Sequence, residues 1–318
     1  MHTTAGSMIR PFLFVFAALL AIQGQAQRYF FENKGVQDGL PASKVYAALQ
    51  SSYGIVWIGT EAGLASYDGN VILNHGTDEG VARSGARSLL LDRDGRLFAG
   101  HLDGGITMLQ GNHFQAYSVA GGMGSAITAM LQDQDGAIWL ITAGDGALRL
   151  DPLPDAGGEV GATRYGTDKG VKEKLLGAVI TTAEGLCVVE DGGGIKRYDK
   201  GADAFTEVLI PGVSGVFRLT SVFVDSRGAL WVGTVGGGAF RRDPQNAIKR
   251  YDIPTGMPSD VVFCFGEDSD GQVWIGTLDA GVAVVTDKGL RTYNKDNGLH
   301  DNFIRSINTD REGNLLIG

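Results

Sequence analysis

Short apolar runs alternate with glycine-rich polar turns along almost the whole chain, and seven of the runs repeat one phrase. The clearest copies are Trp57-Ile58-Gly59-Thr60, Trp231-Val232-Gly233-Thr234 and Trp274-Ile275-Gly276-Thr277. Weaker ones are Phe98-Ala99-Gly100-His101, Trp139-Leu140-Ile141-Thr142, Cys187-Val188-Val189-Glu190 and Leu316-Ile317-Gly318. Successive first residues lie 41, 41, 48, 44, 43 and 42 positions apart. A period of about 40–50 residues carried by short apolar runs predicts four-stranded propeller blades.

The first full copy shows the strand pattern. Residues 44–50 set Val45, Ala47 and Leu49 against Lys44, Tyr46 and Ala48, strand-like yet partly apolar on both faces. Ser51-Ser52-Tyr53-Gly54 turns into residues 55–60, Glu61-Ala62-Gly63 into residues 64–67, and Asp68-Gly69-Asn70 into residues 71–74. Asp-Gly between two such runs is a strong hairpin signal, so the copy reads as four short antiparallel strands. Later copies carry Asp-x-x-Gly between their first two strands, starting at Asp92, Asp133, Asp225, Asp268 and Asp310. Between residues 153 and 203 an insertion at residues 155–161 blurs the pattern, and a blade is still expected on residues 186–190 and 195–198. Tyr29-Phe30-Phe31 reads as the outermost strand of a blade whose inner strands come from the other end of the chain. The expectation is an all-β, seven-bladed β-propeller of four-stranded antiparallel blades, its last blade incomplete at the C-terminus and its ring sewn shut by the two ends. On this reading the chain is cut inside a blade, and an output domain could follow.

Composition supports many tight turns. Glycine supplies 49 of 318 residues, about twice average usage. With 8 prolines and no Gly-X-Y period, collagen-like readings fail. Arg10, the apolar residues 11–22 and the small residues of Gly24-Gln25-Ala26 read as a secretory signal peptide over residues 1–26, leaving residues 27–318 as the exported domain. Its apolar part is 12 residues long, short of the about 20 that span a bilayer. Loss of Arg10 moves the formal charge from −9 to −10, which disfavours nucleic acid as a partner. Cys187 and Cys264 sit in apolar strand patterns of different repeats and read as buried free thiols.

Asp38-Gly39-Leu40-Pro41, Trp57-Ile58-Gly59-Thr60, Gly63-Leu64 and Tyr67-Asp68-Gly69 together resemble the repeats of two-component regulator propellers. The pattern returns at Gly256-Met257-Pro258 with Trp274-Ile275-Gly276-Thr277, and at Asn297-Gly298-Leu299 with residues 310–318. The second copy lacks the tryptophan, and the fourth keeps little beyond its strands. The resemblance implies the periplasmic sensing region of a membrane-bound regulator. In such proteins propellers precede a β-sandwich, a transmembrane helix and a cytoplasmic output domain such as a histidine kinase. Many family members sense oligosaccharides released from polysaccharides. Kinase chemistry and membrane attachment would belong to segments beyond Gly318, not to these residues.

Candidate chemistry is sparse. The Asp-x-Asp-Gly pieces lack the remaining oxygen ligands a Ca²⁺ loop needs and read as capped hairpin turns. Gly192-Gly193-Gly194 and Gly236-Gly237-Gly238 are not followed by Lys-Ser/Thr and open no helix, so neither is a P-loop. The tryptophans, mid-strand beside Ile or Val, read as packing between blades. No metal-spaced histidine pair and no Gly-x-Ser-x-Gly elbow occurs. No cofactor is expected, and enzymatic activity is left open because propeller sites can assemble across blades.

Strand alternation gathers the Gly-Leu-Pro loops and the turns after the tryptophan phrase on one face. Expected ligand-binding residues there are Lys44, Glu61, His101, Asp103, Asp145, Asp260, Asp279, His300, Asp301 and Arg305. Lys44 and Arg305 carry most weight, since each lies where an innermost strand begins. Cationic and acidic groups there suit a hydroxylated or acidic sugar through charge-assisted hydrogen bonds. The resulting expectation is a ligand-sensing propeller of a two-component-type signalling protein, binding a small molecule or oligosaccharide without chemistry. The alternatives are a protein-interaction or homodimerisation scaffold, and a propeller-framed polysaccharide lyase or hydrolase.

Overall fold

In the computed structural model, residues 29–181 and 185–318 are described. The expected signal peptide, residues 1–26, lies outside them. Residues 33–318 form one unit. Its first blade is β1 (Val45–Gln50), β2 (Val56–Thr60), β3 (Gly63–Tyr67) and β4 (Ile72–His75), paired in that order and antiparallel throughout. The second is β5 (Ala86–Leu91), β6 (Leu97–His101), β7 (Ile106–Gln110) and β8 (His113–Val119). The third begins with β9 (Ile127–Gln132), β10 (Ile138–Thr142) and β11 (Ala147–Leu150). The chain then leaves this blade, adds β12 (Gly158–Val160) parallel to β8 on the outer edge of the second blade, and returns as β13 (Ala162–Tyr165) to complete the third.

The fourth blade is β14 (Leu175–Thr181), β15 (Gly185–Glu190), β16 (Ile195–Asp199) and β17 (Ala204–Val208). The fifth is β18 (Arg218–Val224), β19 (Leu230–Val235), β20 (Ala239–Arg242) and β21 (Ile248–Tyr251). The sixth is β22 (Val262–Glu267), β23 (Val273–Thr277), β24 (Val282–Thr286) and β25 (Gly289–Tyr293). Last come β26 (Ile307–Thr309) and β27 (Leu315–Ile317), a two-stranded hairpin.

Three expectations need correction. The described residues form six complete blades, not seven; the seventh module is only the β26–β27 hairpin. Tyr29, Phe30 and Phe31 form no strand, and Phe30 is 91% exposed. Blades pair sequentially, so an outermost strand needs a third strand to bond to, and the hairpin has none. The insertion at residues 155–161 belongs between the last two strands of the third blade and does not disturb the fourth.

The ring nevertheless closes. Each innermost strand packs beside the next, from β1 through β5, β9, β14, β18 and β22 to β26, and β26 packs against β1. The closing joint repeats one used inside the ring. Arg93 N donates to Gln132 Oε1 at 2.9 Å between the second and third blades. Arg311 N likewise donates to Gln50 Oε1 at 2.8 Å between hairpin and first blade. Asn308 Nδ2 to Ala48 O at 2.7 Å adds to the seam.

The repeated phrase explains the packing. Trp139, Trp231 and Trp274 are buried between blades. Each indole Nε1 donates at 2.8 Å to the aspartate six residues earlier, Asp133, Asp225 or Asp268. The other carboxylate oxygen of each aspartate accepts backbone N–H groups of its own turn, for example Ala229 N at 2.8 Å for Asp225. Where the tryptophan is missing, another donor takes its place: Arg96 Nε reaches Asp92 at 2.7 Å, and Asn314 Nδ2 reaches Asp310 at 2.9 Å. The glycine of the phrase faces the next blade, and a Cβ on Gly59 would lie 2.7 Å from Ala86 O. Cys187 and Cys264 are both buried and free.

Candidate functional site at the ring mouth

Antiparallel strands bring two sets of loops to one end of each blade. The backbone shows it: Glu61 N donates to Lys44 O at 3.1 Å, Leu102 N to Gly85 O at 2.9 Å and Leu278 N to Val261 O at 3.1 Å. Each bond ties the turn after a second strand to the start of the innermost strand of the same blade. Most lead-in loops share one device, a single 3₁₀ turn closed by a left-handed glycine. Gly39 after Val36–Asp38 shows it, with φ 110°. The next apolar residue, Leu40, Val81, Val171, Met257 or Leu299, is then buried and pins the loop.

A second device aims side chains at the axis. The first ladder of every complete blade skips one residue near the start of its innermost strand, leaving Tyr46, Arg87, Thr128, Leu176, Thr220 and Phe263 at bulges. In the hairpin, Arg305 N and Ser306 N both donate to Gly318 O, at 2.6 and 3.1 Å, which puts Arg305 in the corresponding place. A bulge bends the strand and re-aims the extra residue. Seven such residues therefore crown the ring at the end where the loops gather.

Their chemistry is uneven. Arg305, Tyr46 and Arg87 are consecutive around the crown. The Tyr46 ring centroid lies 5.3 Å from Arg87 Cζ, 5.9 Å from Arg305 Cζ and 5.3 Å from Lys44 Nζ. Arg305 also lies 3.8 Å over the Phe303 ring, which meets Phe263 edge-on at 5.2 Å. Such contacts hold a cation without neutralising it. Burial, then the Arg87 guanidinium, press Arg305 below its ordinary value, and it stays charged at any physiological pH.

Of the expected residues, Lys44, Glu61, Asp301 and Arg305 come together around Tyr46. Lys44 Nζ stands 3.6 Å from Glu61 Oε2, with both side chains partly exposed. Glu61 and Asp301 each act electrostatically on Arg305. Asp301 is held below its ordinary value by N–H donors from Phe303 and Asn302. Asp103 and Asp145 tie their turns to the lead-in loop of the same blade, and Asp260 serves its own loop. Asp103 accepts from Ser84 Oγ at 2.7 Å, Asp145 from Ser125 Oγ at 2.5 Å and Asp260 from Ile253 N at 2.8 Å. Asp279 and His300 are exposed.

His101 is fully buried. It occupies the threonine place of the repeated phrase, where Thr60, Thr142, Thr234 and Thr277 are also buried. Its Nδ1 lies 2.8 Å from Ser84 O and its Nε2 2.8 Å from Thr107 Oγ1. Burial lowers its pKa and keeps it neutral. Sequence reasoning did not single out Tyr46, Arg87, Phe263 or Phe303. Their common position, one repeat apart at the start of each innermost strand, was the signal available for the first three.

Two stretches, residues 39–62 and 256–279, match the family described as two component regulator propeller. No curated protein matches the chain significantly. Among solved structures it is similar to the extracellular domain of BT3049, a protein described as a hybrid two component system of B. thetaiotaomicron. That likeness has a TM-score of 0.74 at 18% identity over 91% of this chain and 40% of that one. The corresponding domain of BT4673 from B. thetaiotaomicron gives 0.73 at 23% identity over 91% and 38%. Virginiamycin B lyase from Staphylococcus aureus gives 0.68 at 16% identity over 86% and 92%. The chain thus spans about two fifths of the two B. thetaiotaomicron structures, and these likenesses establish the fold. With the family match, they show a β-propeller that carries two-component regulator propeller repeats.

Proposed function

We propose that this propeller is the extracytoplasmic sensing region of a two-component-type regulator and binds an acidic or hydroxylated carbohydrate at the ring mouth without chemistry. The observation that carries the reading is the arc of Lys44, Arg87 and Arg305 around Tyr46 and Phe303. Guanidinium groups form paired, charge-assisted hydrogen bonds with carboxylates, and aromatic faces pack against the apolar faces of sugar rings. In a chain of formal charge −9, a cationic arc at the axis is a local reversal of sign that favours an anionic ligand.

Export would rest on the signal-like residues 1–26, and the output domain on segments beyond this chain. Among the described residues, no helix is long and apolar enough to cross a membrane. The arc spans the seam between hairpin and first blade, so a bound sugar would clamp the ring where it closes. Signalling needs a ligand with different affinity for two states of the protein, and a seam that tightens on binding supplies such a difference.

Calorimetry of the chain against neutral and uronic-acid-containing oligosaccharides tests the proposal. Saturable binding that favours the acidic members, weakens with salt and falls about thirtyfold in Arg305→Ala supports it. Silence across the panel, or binding indifferent to Arg305, contradicts it.

A further inference from the structure

The gap between the first and second blades departs from the packing between the third and fourth at several positions, and these departures point the same way. Ser51 stands six residues before Trp57, where Asp133, Asp225 and Asp268 stand before the other tryptophans. Trp57 is only 7% exposed, yet no acceptor for its Nε1 occurs among the described residues. His75 pairs with Leu64 where Tyr165, Tyr251 and Tyr293 occupy the same rung of their blades. Leu109 pairs with Phe114 as Tyr198 pairs with Phe205 in the fourth blade.

These replacements remove bulk. Between the third and fourth blades, the Tyr198 ring packs 4.8 Å from Trp139 and its hydroxyl donates to Asp203 at 2.9 Å. Between the first and second blades there is instead a cavity of about 510 Å³, lined among others by Ser51, Trp57, His75, Leu97, Leu109 and Phe114. His75 is already engaged, its Nδ1 2.8 Å from Glu79 Oε2 and its Nε2 2.8 Å from Ser66 Oγ. Tyr53 and Asn112 on its lining are exposed, so Trp57 Nε1 and Ser51 Oγ are the polar groups that its buried residues leave to answer a guest. No lysine or arginine lines the cavity, whereas Glu79 does. An anion would therefore be repelled, and a cation would offer the indole N–H nothing to bond.

We propose that this cavity binds a small neutral phenol. The ring would take the space that Tyr198 fills two blades on, against Trp57, Leu97 and Phe114. The phenolic oxygen would accept from Trp57 Nε1, and its O–H would donate to Ser51 Oγ. The site is separate from the ring mouth, so a failure of the carbohydrate proposal leaves it standing.

The test is a titration of the ¹⁵N-labelled full chain with p-cresol, following the four indole N–H signals by NMR, with Trp57 assigned by its disappearance in Trp57→Phe. The proposal expects the Trp57 signal alone to move, saturably. Toluene, which lacks the hydroxyl, should bind about tenfold more weakly. Ser51→Asp gives the indole the partner found in other blades, and Leu109→Tyr refills the space. Both should abolish the shift, with Ser51→Asp melting no lower than the parent. An unmoved Trp57 signal overturns the proposal, as does toluene binding as tightly as p-cresol, or a Ser51→Asp protein that still binds.

Discussion

The crown of bulged residues uses one backbone device on two sides of the ring and puts it to different ends. On one side Thr128 Oγ1 reaches Leu175 O at 3.2 Å and Thr220 Oγ1 donates to Val262 O at 2.7 Å. Those hydroxyls stitch one innermost strand to the next, and Leu176 between them offers only apolar surface. On the other side Arg305, Tyr46 and Arg87 make ring-face contacts and leave hydrogen-bonding capacity at the mouth. The same re-aiming of a side chain can thus be structural or open to a ligand. Which it becomes depends on whether the side chain is short enough to turn back onto the neighbouring strand.

If that division holds, substitutions on the two sides should separate stability from binding. The largest effect belongs to the stitched side, at the turn beneath it. Asp225→Ala would strip Trp231 Nε1 and the turn N–H groups of their acceptor and should cost about 3 kcal/mol in denaturant unfolding. Arg305→Ala should weaken sugar binding by about 2 kcal/mol, roughly thirtyfold, while its melting curve stays near that of the parent. Thr220→Val removes one stitch and should lower stability by about 1 kcal/mol with no effect on affinity by calorimetry.

The smallest effect is one of pH. Burial holds the His101 pKa below its ordinary 6.5, so the unfolded chain takes up the proton first as pH falls. Its contribution is complete above 6.5 and fades as pH drops through the lowered folded value. Melting temperature should therefore decline as pH falls below about 6.5. His101→Thr, which restores the residue of the other copies, should flatten that decline.

Much of this architecture was legible because the repeat is a packing requirement. A tryptophan with a turn aspartate six residues before it, or a glycine against the next blade, serves the same packing at most of the joints, so the sequence repeats them. What was hidden depends on pairing between distant segments. Nothing local in Tyr29-Phe30-Phe31 reveals whether a third strand exists to receive it, and nothing in residues 155–161 says that Gly158–Val160 will pair with the second blade.

The candidate site was half legible. Lys44 and Arg305 follow from loop geometry, whereas Tyr46 and Arg87 required the bulge. Its trace in sequence is the apolar character on both faces of residues 44–50, which a regular strand with one buried face would not show. His101 was misleading as an exposed rim residue, although its place in the phrase, four positions along where threonine is buried elsewhere, already argued for the interior.

The account stands most directly on a paired measurement of the Arg87→Ala/Arg305→Ala double variant and the parent chain, titrated with acidic oligosaccharides and melted side by side. It predicts that binding disappears while the melting transition is unchanged. Binding that survives in the double variant, or a melting transition that falls with the loss of binding, would contradict it.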